Sequence, residues 1–126
     1  MSKRNLSDLR NQVERFLSDF KNLLDTRGER VMPRRYKNQQ TKIRLGLTDK
    51  NCVDILYSLT PDNYYKGPSK DEYHPGNYWE FGTEVDSNPI YIKIKIASDN
   101  HGNDWPVCYS FHDPEFRLKY PLRGVE

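Results

Sequence analysis

Apolar and polar residues alternate along three segments between positions 79 and 112. A period of two places alternate side chains on one face of a β-strand, so each segment indicates a strand with one buried face. We predict that the three strands form one antiparallel sheet. The positions assigned to its buried face are Trp79, Phe81, Thr83 and Val85, then Ile90, Ile92, Ile94 and Ile96, then Val107, Tyr109 and Phe111.

The intervening positions bring reactive side chains together on the opposite, polar face of the predicted sheet. This face combines carboxylates, a phenol, two ammonium groups and an imidazole. Turn-forming segments at 86–89 and 99–104 connect the strands. The positions assigned to the polar face are Glu80 and Glu84, then Tyr91, Lys93 and Lys95, then Cys108, Ser110 and His112.

The N-terminal part of the chain has the period of an amphipathic helix. Its apolar residues recur at spacings of three and four, and the pattern predicts a helix from Asn5 to Asp25 that stops at Thr26 and Gly28. We predict that this helix packs on the sheet; the alternative is a helix that binds a partner. Its apolar stripe consists of Leu6, Leu9, Val13, Phe16, Phe20 and either Leu23 or Leu24.

Three shorter elements are predicted between this helix and the sheet. Residues 31–36 indicate a short edge strand, because Pro33 is unsuited to a central one. A helical turn follows Asn38 and ends near Gly46. Thr48 has the character of a helix N-cap, with a helix running to about Leu59. The inner stripe of that helix consists of Cys52, Ile55 or Leu56, and Leu59.

Two segments show no regular period. Residues 61–76 are rich in Pro, Gly, Asp, Asn and Tyr, and this composition predicts a long loop. A loop of this length in a compact domain more often has a function than serves only as a connection. Residues 113–126 predict an irregular tail.

A chain of 126 residues is long enough for one domain with a core. We predict a single α+β domain over 1–126, with helices on one face of an antiparallel sheet of three to four strands.

Charge is distributed unevenly along the chain. The net charge is +2, but residues 1–46 hold 12 Lys/Arg against 5 Asp/Glu and residues 47–126 hold 8 against 13. A basic segment of this kind indicates nucleic acid or an acidic partner, and a solvated face is the alternative. No signal peptide and no membrane-spanning apolar run is present, so we predict a cytoplasmic protein with free thiols at Cys52 and Cys108 and no membrane contact.

The polar face suits cleavage of RNA without a metal or cofactor. The histidines and cysteines lack zinc-ligand spacing, and no phosphate-binding glycine loop is present. RNA cleavage needs a base for the 2′-hydroxyl proton, an acid for the leaving oxygen and cations for the phosphorane. We assign Glu80 and His112 as base and acid. Lys66, Lys93 and Lys95 are the candidate cations, and Tyr91 either orients the phosphate or stacks on a base. The predicted RNA-contacting residues are Arg34, Arg35, Lys37, Lys42, Tyr65, Lys93 and Lys95.

An ordered set of short motifs resembles the motility-quorum-sensing-regulator (MqsR) toxin family. The resemblance covers about residues 45–116 and leaves the N-terminal helix, residues 1–28, as an addition. It implies a RelE-like fold, ribosome-independent cleavage of mRNA and neutralisation by a cognate antitoxin. The motifs are Leu45-Gly46-Leu47-Thr48, Asn63-Tyr64-Tyr65-Lys66-Gly67-Pro68, Pro75-Gly76-x-x-Trp79-x-Phe81-Gly82, Ile90-Tyr91-Ile92-Lys93 and Ser110-Phe111-His112.

The resemblance also implies which residues form the active site. The family's active-site lysine falls on Lys66, and its strand tyrosine falls on Tyr91. Two positions differ from the founding toxin, because Glu80 replaces a glutamine and His112 replaces a lysine. Two other functions remain open: a non-catalytic RNA-binding module that uses the same face, and an interaction protein that binds a partner through its helices.

Overall fold

The computed structural model of the protein describes residues 3–28, 31–32 and 35–126. Within these ranges three helices precede a four-stranded antiparallel sheet, so the predicted α+β class is confirmed. The strands pair in chain order, β1-β2-β3-β4. The elements are α1 (Lys3–Arg27), α2 (Tyr36–Leu45), α3 (Asp49–Tyr57), a 3-10 turn (Pro61–Asn63), β1 (Tyr64–Lys70), β2 (Asn77–Val85), β3 (Asn88–Ser98) and β4 (Asp104–His112).

Helix α1 packs on the apolar face of the sheet, as its period predicts. Val13, Leu17, Phe20 and Leu24 are buried, which assigns the last position of the stripe to Leu24. The ring of Phe16 stacks on Trp79, with centroids 5.0 Å apart. Since a buried apolar side chain contributes about 1.5–3 kcal/mol, this stripe is a major part of the core.

Helices α2 and α3 are joined at residues whose conformation ends one helix and starts the next. Gly46 follows α2 in the left-handed conformation, with φ of 68°. Thr48 caps α3 as predicted, since its hydroxyl accepts a hydrogen bond from the backbone N–H of Asn51 and its own backbone N–H donates one to Oδ1 of Asn51. Cys52 and Leu56 are buried beneath α3, and Leu59 after it. The stripe therefore uses Leu56 rather than Ile55.

The predicted edge strand over residues 31–36 is not formed in the part of it that the structure describes. Tyr36 already belongs to α2, and Val31 and Met32 lie outside any strand, while residues 33–34 fall outside the described ranges. Val31 is buried, and its carbonyl oxygen accepts a hydrogen bond of 2.8 Å from the backbone of Cys108. In its described residues, this segment meets β4 through one backbone hydrogen bond and forms no strand ladder.

The predicted loop over residues 61–76 contains a strand, β1, and this prediction was wrong for 64–70. Strand β1 is an edge strand that pairs only with β2 and carries two irregularities in register, one on each side of Lys66. An edge strand tolerates Pro68, because its outer N–H groups need no partner in the sheet. The irregular register removes the alternation that would have revealed it.

Strands β2 and β3 form a hairpin whose buried face matches the prediction. Asp86 and Ser87 make a two-residue turn with positive φ at both positions, the geometry that matches strand twist. Phe81 lies opposite Ile92 and both are fully buried.

Strand β4 contains a bulge that the alternation does not predict. Lys93 lies opposite Ser110, but Ile94 lies opposite Cys108, so Tyr109 has no partner. Cys108 is fully buried and Tyr109 is exposed, which reverses their predicted faces. Val107, also assigned to the buried face, lies opposite Lys95. A bulge inserts one residue and therefore inverts the parity of the strand beyond it.

The tail, residues 113–126, has no helix or strand, as predicted, but three of its side chains pack against the sheet and the core. Leu118 and Tyr120 lie against Gly82 on the polar face of the sheet. Leu122 then enters the core, and its carbonyl accepts a hydrogen bond from Arg10 of α1. Cys52 and Cys108 are free and buried. Among the described residues, no helix has the length and apolar character to cross a membrane.

Candidate functional site

Four side-chain positions form a row across the polar face, one from each strand. The register pairs Lys66 of β1 with Glu80 of β2, Glu80 with Lys93 of β3, and Lys93 with Ser110 of β4. One carboxylate thus lies between two lysines at the centre of the sheet. The side chain of Lys66 is exposed and makes no hydrogen bond or ion pair within the described residues.

A second row crosses the sheet beside the first and contains Tyr91. This residue lies opposite Gly82 on one side and His112 on the other. Its hydroxyl donates a hydrogen bond to Oε1 of Glu80. Burial, followed by this hydrogen bond and the charge of Glu80, raises the pKa of Tyr91 far above its ordinary value. Tyr91 therefore stays protonated and orients the carboxylate.

The first row forms part of the lining of a cleft of about 560 Å³. The loop between β1 and β2 forms one wall, and strands β1 to β4 supply the rest of the lining. This volume falls within the range of about 300–1,000 Å³ that is typical of ligand sites. The lining residues are Lys66, Ser69, Lys70, Asp71, Glu72, Tyr73, His74, Tyr78, Glu80, Lys93 and Tyr109.

The loop wall of the cleft is held in place by Asp71. One carboxylate oxygen accepts hydrogen bonds from the backbone N–H groups of Tyr73 and His74, at 2.9 and 3.1 Å. The other accepts a hydrogen bond of 2.9 Å from Lys95, whose ammonium also donates to the Pro75 carbonyl. Lys95 and Asp71 are both buried. Lys95, which the sequence analysis predicts to contact RNA, is thus bonded to the loop beneath which it is buried.

Two aromatic rings lie near the ammonium group of Lys93. Its Nζ lies 4.6 Å from the centre of the Tyr78 ring and 5.7 Å from that of Tyr109. The guanidinium of Arg35 covers Tyr109 at 3.8 Å and donates to the Tyr109 carbonyl. Burial, then the charge of Asp71, raises the pKa of Tyr78 to about 12. The cleft therefore combines cations with neutral aromatic surfaces.

His112 does not line this cleft, although its ring lies 5.6 Å from that of Tyr91. Phe116 packs on Tyr91 and stacks on Tyr65, with centroids 5.6 and 5.4 Å away. His112 is 9% exposed and lines a different cavity, of about 380 Å³, between α2 and the tail. Its Nδ1 lies 2.9 Å from the Asp113 carbonyl, which can only accept, so Nδ1 carries the proton. The predicted base and acid thus face two different cavities.

Most of the described basic residues predicted to contact RNA are paired with acidic residues. Lys37 forms an ion pair with Glu115 of the tail, and Lys42 forms one with Asp49 of α3. Arg35 is held by Tyr109, as described above. Arg34 lies outside the described residues.

The structure adds residues to the site that sequence reasoning did not assign. His74 and Tyr73 reach the cleft from a segment predicted as an unspecified loop, and Tyr109 reaches it through the bulge. Asp71 accepts hydrogen bonds from the N–H groups of the residues two and three positions later, which is the pattern of an Asx turn and a usable signal in the sequence. In the described part of the chain, no three His, Cys, Asp or Glu side chains are placed to hold a metal ion.

The arrangement has the groups for proton transfer beside a phosphate. Glu80 is half-buried, fixed by Tyr91 and adjacent in register to two lysines. A carboxylate is a proton acceptor, and ammonium groups stabilise a phosphate that gains charge. Comparison of the chain with protein-family models, curated proteins and solved structures finds no match. The resemblance to the MqsR toxins therefore stays a prediction.

Proposed function

We propose that the protein is an endoribonuclease toxin that cleaves single-stranded mRNA in the cleft on the polar face of its sheet. The observation that carries this proposal is the row Lys66–Glu80–Lys93, with a carboxylate between two ammonium positions. The hydrogen bond from Tyr91 fixes the carboxylate in place. This set supplies a base and two cations at one site.

In this mechanism Glu80 takes the proton of a ribose 2′-hydroxyl, which then attacks the adjacent phosphorus. Lys66 and Lys93 stabilise the negative charge of the phosphorane, because fixed cations act where the charge develops. Tyr91 keeps its proton and holds Glu80 in one orientation. The reaction breaks the bond to the 5′-oxygen and leaves a 2′,3′-cyclic phosphate.

The walls of the cleft fit an unpaired strand of RNA. Tyr73 is 86% exposed on the anchored loop, and Tyr109 is 38% exposed on the opposite side. Bases of single strands stack on aromatic side chains, whereas a base inside a duplex cannot be reached in this way. Single-stranded RNA is therefore the substrate class that we propose.

A toxin also needs an inhibitor in its own cell. The resemblance to the MqsR family suggests a cognate antitoxin, and an inhibitor of this reaction would cover Glu80 and Lys66. A non-catalytic RNA-binding module is the second candidate function. The aromatic and cationic lining favours it, because these groups bind RNA whether or not Glu80 accepts a proton.

Replacement of Glu80 by glutamine tests the proposal. Glu80→Gln keeps the shape and the hydrogen bond from Tyr91 but removes the base, so we expect the cleavage rate to fall by about 10²–10⁴-fold. RNA binding should persist. Glu84→Gln is the matched control, because Glu84 is exposed on the same strand and face, and its rate should equal that of the wild type.

Cleavage is measured on single-stranded RNA in excess chelator, with affinity measured in parallel. Equal rates for Glu80→Gln and the wild type would remove Glu80 from the mechanism. RNA binding without any cleavage by the wild type would favour the binding module. Growth arrest on expression of the wild type, and normal growth with Glu80→Gln, would support the toxin assignment.

A further inference from the structure

We propose that His74 is the general acid of this site and gives its proton to the leaving 5′-oxygen. The inference rests on the proposed endoribonuclease function and assigns its missing proton donor. Sequence reasoning gave this role to His112. The geometry points to His74 because it lines the same cleft as Glu80, Lys66 and Lys93, whereas His112 lines another.

The backbone of His74 is held although its side chain is exposed. Its N–H donates to Asp71, and the N–H of Asp71 in turn donates to the Gly76 carbonyl at 3.1 Å. Lys95 anchors Asp71 and Pro75 from below the loop. A group held on an anchored loop keeps its position over the cleft, which general acid catalysis requires.

The imidazole of His74 is available to a ligand. It makes no hydrogen bond or ion pair with any residue that the structure describes, and it projects from the loop wall of the cleft. Imidazole is the side chain that most readily both holds and releases a proton at cellular pH. Tyr78, another donor in the lining, binds its proton too firmly, since burial raises its pKa to about 12.

Glu80 and His74 transfer protons at different oxygen atoms of the substrate. Ionised Glu80 accepts the proton of the 2′-hydroxyl as the bond from the 2′-oxygen to phosphorus forms. Protonated His74 donates its proton to the 5′-oxygen as the bond from phosphorus to that oxygen breaks. The products are a 2′,3′-cyclic phosphate and a 5′-hydroxyl, with Glu80 protonated and His74 neutral. Exchange of one proton with water restores both groups.

A change of leaving group tests this assignment. Thiolate leaves without a proton, so a substrate with sulfur in place of the 5′-oxygen no longer needs the acid. A site that the wild type cleaves is first mapped, and that bond is then made with oxygen or with sulfur. We expect His74→Ala to lose about 10²–10⁴-fold on the oxygen substrate and little on the sulfur substrate.

His101→Ala is the matched control. His101 is also exposed in a loop, and its backbone N–H also donates to a nearby aspartate, Asp99, at 2.8 Å. It lies between β3 and β4 and lines no part of the cleft described above. Its rates on both substrates should equal those of the wild type. His74→Gln, which keeps a polar side chain of similar length, should behave as His74→Ala.

Three results would overturn the inference while the proposed function survived. They are equal losses by His74→Ala on both substrates, no loss on either, and a selective loss on the oxygen substrate by His112→Ala. Failure of the wild type to cleave any RNA would overturn the proposed function itself. Circular dichroism of each variant confirms that the fold is retained.

Discussion

Asp71 holds the loop wall of the cleft through contacts that depend on its charge. Its side chain is 4% exposed and that of Lys95 is 5% exposed. The hydrogen bond from Lys95, followed by that from the Tyr73 backbone, lowers the pKa of Asp71 well below its ordinary range. The folded state is therefore stabilised while Asp71 is ionised.

This shift predicts a loss of stability in acid. A carboxyl whose pKa is depressed by folding contributes fully above its unfolded pKa of about 3.9, and the contribution falls as pH drops towards the folded value. Asp71→Asn should therefore lower the urea midpoint strongly at pH 7, because it leaves Lys95 buried without a counter-charge. The difference from the wild type should narrow below pH 4.

A double variant controls for this effect. Asp71→Asn combined with Lys95→Met removes the unpaired ammonium and should recover part of the stability at pH 7. An Asp71→Asn difference that is the same at pH 3 and pH 7 would contradict the assigned charge interaction.

The alternation of apolar and polar positions predicted which face of the sheet Glu80 and Tyr91 occupy. It did not predict the contact between them. Glu80 and Tyr91 were both assigned to the polar face, where they lie. Their hydrogen bond joins residues that are not opposite one another, since Glu80 pairs with Lys93 in the register. Such a diagonal contact depends on side-chain rotamers, which a binary pattern does not specify.

At the scale of elements, the tail determines how much of the polar face stays open. Leu118 and Tyr120 pack where a side chain at position 82 would stand. A Cβ at this position would lie 2.6 Å from Cδ1 of Leu118 and 2.7 Å from the hydroxyl of Tyr120. Glycine at position 82 therefore permits the tail to cross the sheet.

Gly82→Ala should displace the tail. We expect destabilisation of about 1–3 kcal/mol, the usual cost of inserting atoms into a packed site, and faster proteolysis within residues 113–126. Gly28→Ala is the control, because a Cβ there would meet its nearest neighbour at 3.7 Å, an ordinary contact. Urea unfolding and limited proteolysis measure both effects. Unchanged proteolysis in Gly82→Ala would show that the tail adapts in place.

The elements with a regular period were predictable, and those with an interrupted period were not. Helix α1 and the hairpin of β2 and β3 follow spacings of three to four or of two. The prediction missed strand β1 because its irregular register breaks the alternation. In β4 the buried and polar faces were exchanged for the residues before the bulge, because Tyr109 is an extra residue without a partner in β3. Bulges are local in the chain but are stabilised by tertiary contacts, here from Arg35 and Asn38 to the Tyr109 carbonyl.

At the scale of the whole molecule, the uneven charge of the sequence is partly neutralised by folding. The acidic second part of the chain supplies Asp113 and Glu115 to Arg44 and Lys37 of α2. Lys66 and Lys70 of β1 are exposed and make no ion pair within the described residues. The exposed cations without an acidic partner in β1 therefore differ from those that are densest in the sequence.

The salt dependence of RNA binding distinguishes these two sets of cations. Each phosphate contact to a single strand contributes about 0.7 to the slope of log affinity against log salt. Lys66→Gln with Lys70→Gln should lower the slope by about twice that amount. Lys37→Gln with Lys42→Gln, which removes the same charge from positions paired with Glu115 and Asp49, should leave the slope nearly unchanged. The reverse result would support the α2 residues as the RNA contacts predicted from the sequence.

Both cysteines are buried, so the reactivity of their thiols reports whether the protein is folded. Cys52 and Cys108 are 0% exposed, and burial raises the pKa of Cys52 to about 11, so neither presents a reactive thiolate while the core is closed. Because Cys52 lies on the buried face of α3 and Cys108 lies next to the bulge of β4, a thiol reagent labels them only when the helices separate from the sheet. Labelling rates therefore show whether a variant has lost a single functional group or the packing of its whole core, and no cysteine has to be introduced for the measurement.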